Sequence, residues 1–176
     1  RWRLSGLLRG RGGTESQALR GHMAGSSVIL LDEALIPLDP AKVPLTPATS
    51  LSAIGFNDPE PVTVAPLNQG LSLRPLSPVH TCHEWLPDGS LRLRWTRRSR
   101  GAWQWPDNFE VPLHEDIESY QVGAGPIESP DISWTTSAAE FTLGPEILSA
   151  SPGKTFWVQQ IGRSGKSPAT VLVTLD

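Results

Sequence analysis

Asp88-Gly-Ser-Leu-Arg-Leu-Arg-Trp-Thr96 is the segment from which the fold class of this chain follows. Its Asp-Gly pair is typical of a β-hairpin turn, because glycine tolerates the positive φ that a two-residue turn requires. Beyond the turn, apolar residues alternate with arginine and threonine, which is the period of a strand with one buried face. Leu91, Leu93 and Trp95 therefore share a face, and we predict that Trp95 is buried between two sheets.

Strand signals continue on both sides of this segment. Val79–Trp85 precedes it, and the later signals lie at Tyr120 and Val122, at Trp134, at Phe141, at Phe156 and Val158, and at Val171, Val173 and Leu175. Residues 162–166 are predicted as a turn. Six or seven short strands within about 100 residues are typical of an immunoglobulin-like sandwich. We therefore predict an all-β fold with a fibronectin type III-like sandwich over residues 77–176.

Residues 1–76 differ from this pattern because prolines punctuate them. Proline lacks the backbone donor and breaks a helix interior, so no long helix fits between residues 33 and 76. The predicted short elements are a strand at Trp2–Leu8, a helical turn from Thr14 to about His22, a buried strand at Ser27–Asp32, and strands at Ser52–Phe56 and Val62–Ala65. We predict an irregular β-rich segment over 1–76 and expect that it does not fold alone, whereas 77–176 does.

Composition limits the classes of function. The 176 residues carry a formal net charge of −3, which does not favour nucleic-acid binding through bulk charge. The one cysteine, Cys82, excludes an intrachain disulfide. No apolar run approaches the roughly 20 residues of a membrane-spanning helix, so no membrane insertion is predicted. The chain begins at Arg1 rather than at methionine, and we expect it to be a piece of a longer protein.

Two short motifs resemble sites for a metal or a phosphate. His80, Cys82 and His83 lie close in sequence, but a zinc site needs about four converging ligands, so we interpret them as strand residues with Cys82 as a small core filler. Gly165-Lys-Ser167 resembles the end of a phosphate-binding loop, yet Gln160 stands where that motif requires glycine, and a strand follows instead of a helix. We predict neither a metal nor a cofactor.

Catalytic signals are equally weak. Ser164 lacks the second glycine of a nucleophile elbow, which lies two positions after the serine. Glu115, Asp116 and Glu118 could form paired carboxylates, but they lie at the entrance to a strand, so we interpret them as solvated or as paired with the basic cluster Arg92–Arg100. The chain is predicted not to be an enzyme, and no catalytic residue is assigned.

A long connection between two predicted strands carries the candidate binding residues. Arginine and tryptophan are enriched at binding hot spots, and long loops on a rigid sandwich are where recognition usually lies. The candidate residues of this loop are Arg97, Arg98, Arg100, Trp103 and Trp105. Two interpretations of the tryptophans remain open: they stack on a sugar or anchor a protein partner, or they fold back and cap the open end of the sandwich.

Several stretches match a known family in the right order. The most specific are Arg74-Pro-Leu-Ser-Pro-Val-His80 and Trp95-Thr-Arg-Arg-Ser-Arg100; further matches lie at 4–15, 28–32, 70–73 and 88–94, with weaker ones at 111–115, 118–120 and 158–161. These stretches resemble the C-terminal region of the tail-tip, or host-specificity, proteins of gene transfer agents and related siphophages of alphaproteobacteria. Residues 33–69 match poorly. Members of the family carry a glycosidase-like TIM-barrel domain upstream of this region.

The resemblance implies a structural part of a tail tip or baseplate. Its implied partners are other tail proteins, sister copies in a symmetric homo-oligomer and, as a further candidate, a glycan on the host surface. Its implied location is the tail tip of a virion or phage-like particle that is assembled in the bacterial cytoplasm. No catalytic residue is implied, because the barrel domain of the family is absent from this chain.

An alternative function is that of a carbohydrate-binding accessory module of a glycoside hydrolase. Trp103 and Trp105 would then form the stacking platform for the sugar. Glycan binding by the isolated chain, without any tail partner, would favour this alternative.

Overall fold

The computed structural model describes residues 3–10, 14–33, 35–36, 49–65, 73–101 and 111–175. The helices and strands within them are α1 (Glu15–Arg20), β1 (Leu51–Ala53), β2 (Val62–Val64), β3 (Val79–Trp85), β4 (Leu91–Thr96), β5 (Tyr120–Ala124), β6 (Ile132–Thr136), β7 (Glu140–Leu143), α2 (Pro145–Ser149), β8 (Thr155–Gly162), β9 (Gly165–Lys166) and β10 (Thr170–Thr174). None of the helices in this part of the chain is long and apolar enough to cross a membrane.

The strands from β3 onward form a two-layer sandwich. One sheet has the order β3-β4-β7, the other has the order β10-β8-β5-β6, and β9 pairs with the end of β8. All of these pairs are antiparallel. The first, second and fifth sandwich strands thus form one layer and the others form the second layer, which is the strand order of a fibronectin type III-like sandwich. The fold-class prediction is confirmed.

The hairpin between β3 and β4 forms as its sequence predicts. Gly89 has a φ of +82°, and the Leu86 amide donates to the Ser90 carbonyl at 2.8 Å. The Asp88 carboxylate accepts a hydrogen bond from the Ser90 amide at 2.9 Å. This bond from the neighbouring backbone lowers the pKa of Asp88 below its ordinary value.

The alternation in β4 produces the buried face that was predicted. Leu91 and Leu93 are fully buried, and Trp95 is only 5% exposed. The Trp95 ring meets Tyr120 of the opposite sheet edge-on, with 5.2 Å between the ring centroids and 71° between the planes. Edge-to-face contact is a favoured geometry for aromatic pairs. The prediction that Trp95 lies between the two sheets is confirmed.

The outer face of the larger sheet depends on a glycine. Trp157 of β8 packs its indole ring over Gly123 of β5, where even a single added carbon would collide with the ring. The indole nitrogen donates to the Gly125 carbonyl at 2.9 Å, so Trp157 is buried although it faces away from the core. Close approach of a large ring to a strand backbone is a typical reason for glycine in a strand.

The strand predicted at the end of the chain forms as β10, and its pairing with β8 is irregular. Leu172 is the buried residue of this strand, whereas Val171 is exposed. The pairing register with β8 shifts between Val171 and Val173. Such an irregularity breaks the simple alternation of faces, so Leu172 lies in the core while Val173 and Leu175 also pack against it.

Part of the secondary structure predicted before the sandwich is confirmed. The helical turn forms as α1, although Thr14 makes no capping hydrogen bond with its side chain. The strands β1 and β2 pair as an antiparallel hairpin near the predicted spans: β2 lies within 62–65, whereas β1 begins one residue before 52–56 and ends at Ala53. The independence of the two parts, 1–76 and 77–176, stays a prediction.

Two of the predicted N-terminal strands are wrong. Trp2 lies outside the described residues, and residues 3–8 form no strand, because Gly6 has a φ of +64° that interrupts an extended backbone. Residues 27–32 form no strand and are exposed instead of buried. The reason is that, in the described part of the chain, no strand pairs with this run and no layer covers it.

Candidate binding surfaces

Arg97 and Arg100 follow directly on β4, and both bind backbone groups at the far end of the predicted loop. The Arg97 guanidinium donates to the Val111 carbonyl at 2.9 Å. The Arg100 guanidinium donates to the His114 carbonyl at 3.0 Å. Two arginines at the start of the connection therefore hold the residues that lead out of it.

Glu115 completes this set of contacts, which we name the brace and which comprises Arg97, Arg100 and Glu115. Its side chain is only 2% exposed and accepts hydrogen bonds from Arg100 Nε at 2.9 Å and from the Arg163 amide at 3.0 Å. Hydrogen bonds between ionised groups are shorter and stronger than neutral ones. The carboxylate thus joins the end of the connection to the turn between β8 and β9.

Glu118 extends the charged network into the core. One carboxylate oxygen accepts a hydrogen bond from the Tyr120 hydroxyl at 2.6 Å, and the other lies 3.9 Å from Arg97 Nε. Burial, together with the contact to Glu118, raises the pKa of Tyr120 well above its usual range. The pairing predicted between the acidic stretch and the arginine cluster is therefore confirmed for Glu115 and Glu118.

Arg98 points toward the N-terminal part instead. Its guanidinium donates to the Glu15 carboxylate of α1 at 2.5 Å. Both side chains are about one-third exposed, so solvent screens the pair. This contact links α1 to the end of β4 across 83 positions of the chain.

The structure thus brings together three of the five predicted binding residues. Arg97, Arg98 and Arg100 lie beside one another, but each binds a group of the chain itself. Trp103 and Trp105 lie outside the described residues. The binding role of this loop stays a prediction, and Arg97 and Arg100 are placed to position the loop.

The metal-like cluster does not form a site. Cys82 is exposed on β3, which is an edge strand, and it lies opposite Arg94. The prediction of Cys82 as a core filler is wrong, because its side chain lies on the outer face of the sheet. In the part of the chain that the structure describes, no three His, Cys, Asp or Glu side chains are placed to hold a metal ion.

The phosphate-like motif is a hairpin, as interpreted. Gly165 and Lys166 form β9 and pair with the end of β8. The Ser167 hydroxyl is buried, accepts a hydrogen bond from the Gln160 amide at 2.9 Å and donates to the Pro168 carbonyl at 3.0 Å. These contacts account for the serine, and no helix follows it.

A surface that the sequence reasoning missed lies in the N-terminal part. Val28, Ile29, Leu30 and Leu31, which we name the apolar run, are between 73% and 83% exposed. Four adjacent apolar residues in the sequence predict that their side chains are buried. They do not indicate whether this chain or another protein buries them. The structure leaves these side chains in solvent.

The hairpin of β1 and β2 adds a second apolar surface. Leu51 pairs with Val64 and Ala53 with Val62, so these four side chains share one face, which we name the hairpin face. The other face is polar, and its Ser52 and Thr63 hydroxyls lie 2.9 Å apart. Val62 is 71% exposed and Val64 is 57% exposed, so the hairpin face is also turned to solvent.

Comparison with known proteins adds little beyond the fold. No family model and no curated protein matches the chain. Among solved structures, it is similar to a mutant named FN3tt (18% identity over 55% of this chain and 90% of the other, TM-score 0.38). It is also similar to domains d3–d4 of the rat CD45 extracellular region (10% identity over 85% and 75%, TM-score 0.40). A third similar structure is the FN5 domain of Drosophila Lar (18% identity over 58% and 98%, TM-score 0.30).

None of these three proteins is described as a tail protein. TM-scores this low add no argument of their own. The assignment of the fold therefore depends on the strand order and pairing of the two sheets.

Proposed function

We propose that this chain is a binding and spacing component of a phage-like tail tip or baseplate, of the kind found in gene transfer agents. It contacts other tail proteins through its N-terminal part, and the sandwich holds that part at a fixed distance. The resemblance of Arg74–His80 and Trp95–Arg100 to tail-tip proteins supports the setting. The exposure of the apolar run supports the role as an assembly component.

The apolar run carries this proposal for a physical reason. Fully burying one Val, Leu or Ile side chain is worth about 1.5–3 kcal/mol. Four adjacent side chains of this kind that remain in water contribute little of this free energy to folding. Large contiguous apolar patches on soluble proteins mark sites of interaction. The run is therefore a surface that another protein covers.

The sandwich supports a passive role. Two of the three carboxylates that were candidates for paired chemistry, Glu115 and Glu118, already bind Arg100, Arg163 and Tyr120 of the chain itself. Carboxylates that are engaged in this way position structure and are not poised for acid–base chemistry. We therefore propose a non-enzymatic component without nucleic acid, cofactor or membrane insertion, which sits at the particle tip after assembly in the bacterial cytoplasm.

Incorporation into particles tests the proposal. Ile29→Asp/Leu31→Asp places two charges in the apolar run, and Ser26→Asp/Ser27→Asp is the matched control in the exposed polar residues before it. All four positions are exposed, so we expect the sandwich to melt as before. The first variant should be missing from purified tails, whereas the control should be present. Normal incorporation of the first variant would refute the proposal.

A second experiment separates the two interpretations of the loop. Trp103→Ala/Trp105→Ala with unchanged melting but lost assembly or adsorption supports a contact with a tail subunit or a surface glycan. A large fall in melting temperature supports capping of the sandwich end. Glycan binding by the wild-type chain alone, lost in this variant, would favour the carbohydrate-binding alternative.

A further inference from the structure

We infer that the outer edge of β6 binds an extended segment of a different protein, which joins the larger sheet as a further strand. The segment that fits this edge has apolar residues at alternate positions and basic residues at its ends. The edge is separate from the apolar run and from the hairpin face. The inference therefore goes beyond the proposed function and does not depend on it.

The backbone of β6 carries hydrogen-bonding groups that face away from its sheet. The Ile161 amide of β8 donates to the Ser119 carbonyl at 2.8 Å, so the odd-numbered residues along β5 turn their backbone groups toward β8. The even-numbered residues of β5 turn theirs toward β6, and each lies opposite an even-numbered residue of that strand. The N–H and C=O groups of Ser133 and Thr135 therefore point away from β5. Within the described residues, β6 is the last strand of its sheet and no strand pairs with these groups.

The strand β6 lacks the features that protect an open sheet edge from pairing. Charged side chains, prolines and bulges are common on such edges. The sequence of β6, Ile132-Ser-Trp-Thr-Thr136, contains neither a charge nor a proline, and its register with β5 is unbroken. The other outer strands of the sandwich differ, because β3 and β10 pair irregularly and β7 begins with Glu140. Of the described edges, β6 is thus the one best suited to accept a strand.

The inward face of β6 determines which side chains the added segment needs. Trp134 packs against Phe141 of β7, with 5.3 Å between the ring centroids and 35° between the planes. Both rings are only partly buried against the core, and Ile132 on the same face of β6 is 44% exposed. A strand beside β6 would place every second side chain next to these residues. Apolar residues at alternate positions of the segment would therefore cover this open side of the sandwich.

Charges near both ends of β6 favour a basic segment. Glu128 lies four residues before the strand, Glu140 lies four residues after it, and both side chains are exposed. Asp131 pairs with Lys154 at 3.0 Å, so these two charges offset each other. Carboxylates at the ends of a binding edge attract basic partners and repel acidic ones. The segment that fits thus carries Lys or Arg near its ends.

The same charges disfavour a second copy of this chain as the occupant. Antiparallel pairing of two β6 strands around a two-fold axis would place Glu128 of each copy near Glu140 of the other. Like charges that face each other across paired strands are destabilising. The apolar run is also unsuited to this edge, because Asp32 and Glu33 follow it directly. A different protein with a basic segment is therefore the better partner.

Binding of a synthetic peptide to the full chain tests the inference. The probe is Lys-Val-Thr-Val-Thr-Val-Lys, which combines alternate apolar residues with basic ends, and the anisotropy of a fluorescent label on it measures the Kd. We expect saturable binding to the wild-type chain. A second peptide with glutamate in place of both lysines should bind at least about fivefold more weakly at low salt.

Thr135→Pro tests the backbone contact at the edge. Proline removes the outward N–H and leaves the hydrogen bonds to β5 in place, so we expect the sandwich to melt as before. The loss of this donor and the bulk of the ring should raise the Kd of the probe at least about tenfold. Thr135→Val is the matched control, because it keeps the N–H, and it should change the Kd by less than about twofold. A probe that is N-methylated at every backbone amide should not bind, and this measurement leaves the protein unaltered.

Several results would overturn the inference. They are the absence of saturable binding to the wild-type chain, equal weakening by Thr135→Pro and Thr135→Val, and undiminished binding of the N-methylated probe. Equal binding of the lysine and glutamate peptides would refute the basic character of the partner. A wild-type dimer in sedimentation that Thr135→Pro dissociates would show that a second copy occupies the edge instead. None of these measurements involves particles, so the proposed function keeps its own separate test.

Discussion

Trp95 is the residue on which the contact between the two sheets depends most. It packs with Leu91 and Leu93 on one face of β4 and meets the Tyr120 ring across the core. Truncating it removes a large buried ring and leaves a cavity that the surrounding strands cannot fill.

We expect Trp95→Ala to lower the free energy of unfolding by about 3–5 kcal/mol. Trp85→Ala provides the control, because Trp85 is 60% exposed on the edge strand β3 and should cost much less. Chemical denaturation followed by tryptophan fluorescence measures both. Equal losses in the two variants would show that the described burial of Trp95 is wrong.

Asp88 makes the stability of the first sandwich hairpin dependent on pH. The hydrogen bond from the Ser90 amide stabilises the ionised carboxylate, so its pKa in the folded state lies below the ordinary value of 3.8. A lowered carboxyl pKa contributes stability that is present in full above 3.8 and is lost as the pH falls through the folded value.

We therefore expect the wild-type chain to lose stability below pH 3.8 more steeply than Asp88→Asn, which has no charge to titrate at this position. Denaturation curves of the two proteins at a series of acidic pH values measure the difference. Parallel pH profiles would contradict the role of the carboxylate.

At the scale of elements, the brace at the end of β4 gives the predicted loop fixed ends. Arg100 and the buried Glu115 carry most of it, whereas Arg92 pairs with Glu84 on the exposed face of the smaller sheet. The two pairs have the same chemistry but differ in burial. When the Arg100–Glu115 pair is broken, a buried carboxylate loses its arginine; breaking the Arg92–Glu84 pair leaves only an exposed carboxylate.

We expect Arg100→Gln to cost about 1–3 kcal/mol, because Arg100 is partly exposed and the Glu115 carboxylate keeps the Arg163 amide as a donor. Arg92→Gln should cost less than about 1 kcal/mol, as for other exposed pairs. Thermal unfolding of both variants compares them. A larger loss for Arg92→Gln would contradict the brace.

Local sequence signals anticipated the elements whose partners lie next to them in the chain. The Asp88-Gly89 turn and the alternation in β4 predicted the hairpin, the buried face and the strand bounds, because adjacent residues determine all three. The burial of Leu172 in β10 goes with a register shift against β8, which local sequence signals do not indicate because it depends on the neighbouring strand. Cys82 was misplaced because its outward face is set by its pairing with Arg94 and by the irregularity between Val79 and Cys82, which depend on the neighbouring strand.

The candidate site was less accessible to sequence reasoning than the fold. Because arginine is enriched at binding sites, the residue types at 97, 98 and 100 indicated a binding role. The structure instead pairs these arginines with groups of the chain itself, and only tertiary contacts determine which groups. The partners are Val111, Glu15 and Glu115. The apolar run was predicted to be buried, since hydrophobicity indicates a preference for cover and does not identify which protein provides it.

At the scale of the whole molecule, the chain combines a sandwich that buries a shared core with a segment that leaves its apolar side chains in solvent. The strands from Val79 to Thr174 bury a shared core. By contrast, α1 buries no residue, and the hairpin face and the apolar run are exposed. This division is the central claim, because it separates the part that we propose as a spacer from the part that we propose other proteins cover.

Thermal melting of residues 77–176 and of residues 1–76, expressed separately and compared at low concentration, tests this claim most directly. We expect a cooperative transition from 77–176, because the complete sandwich core lies within it. We expect no cooperative transition from 1–76, because its described elements bury too little apolar surface to offset the entropy of folding. A cooperative melt of 1–76 alone, or the lack of one for 77–176, would contradict the account.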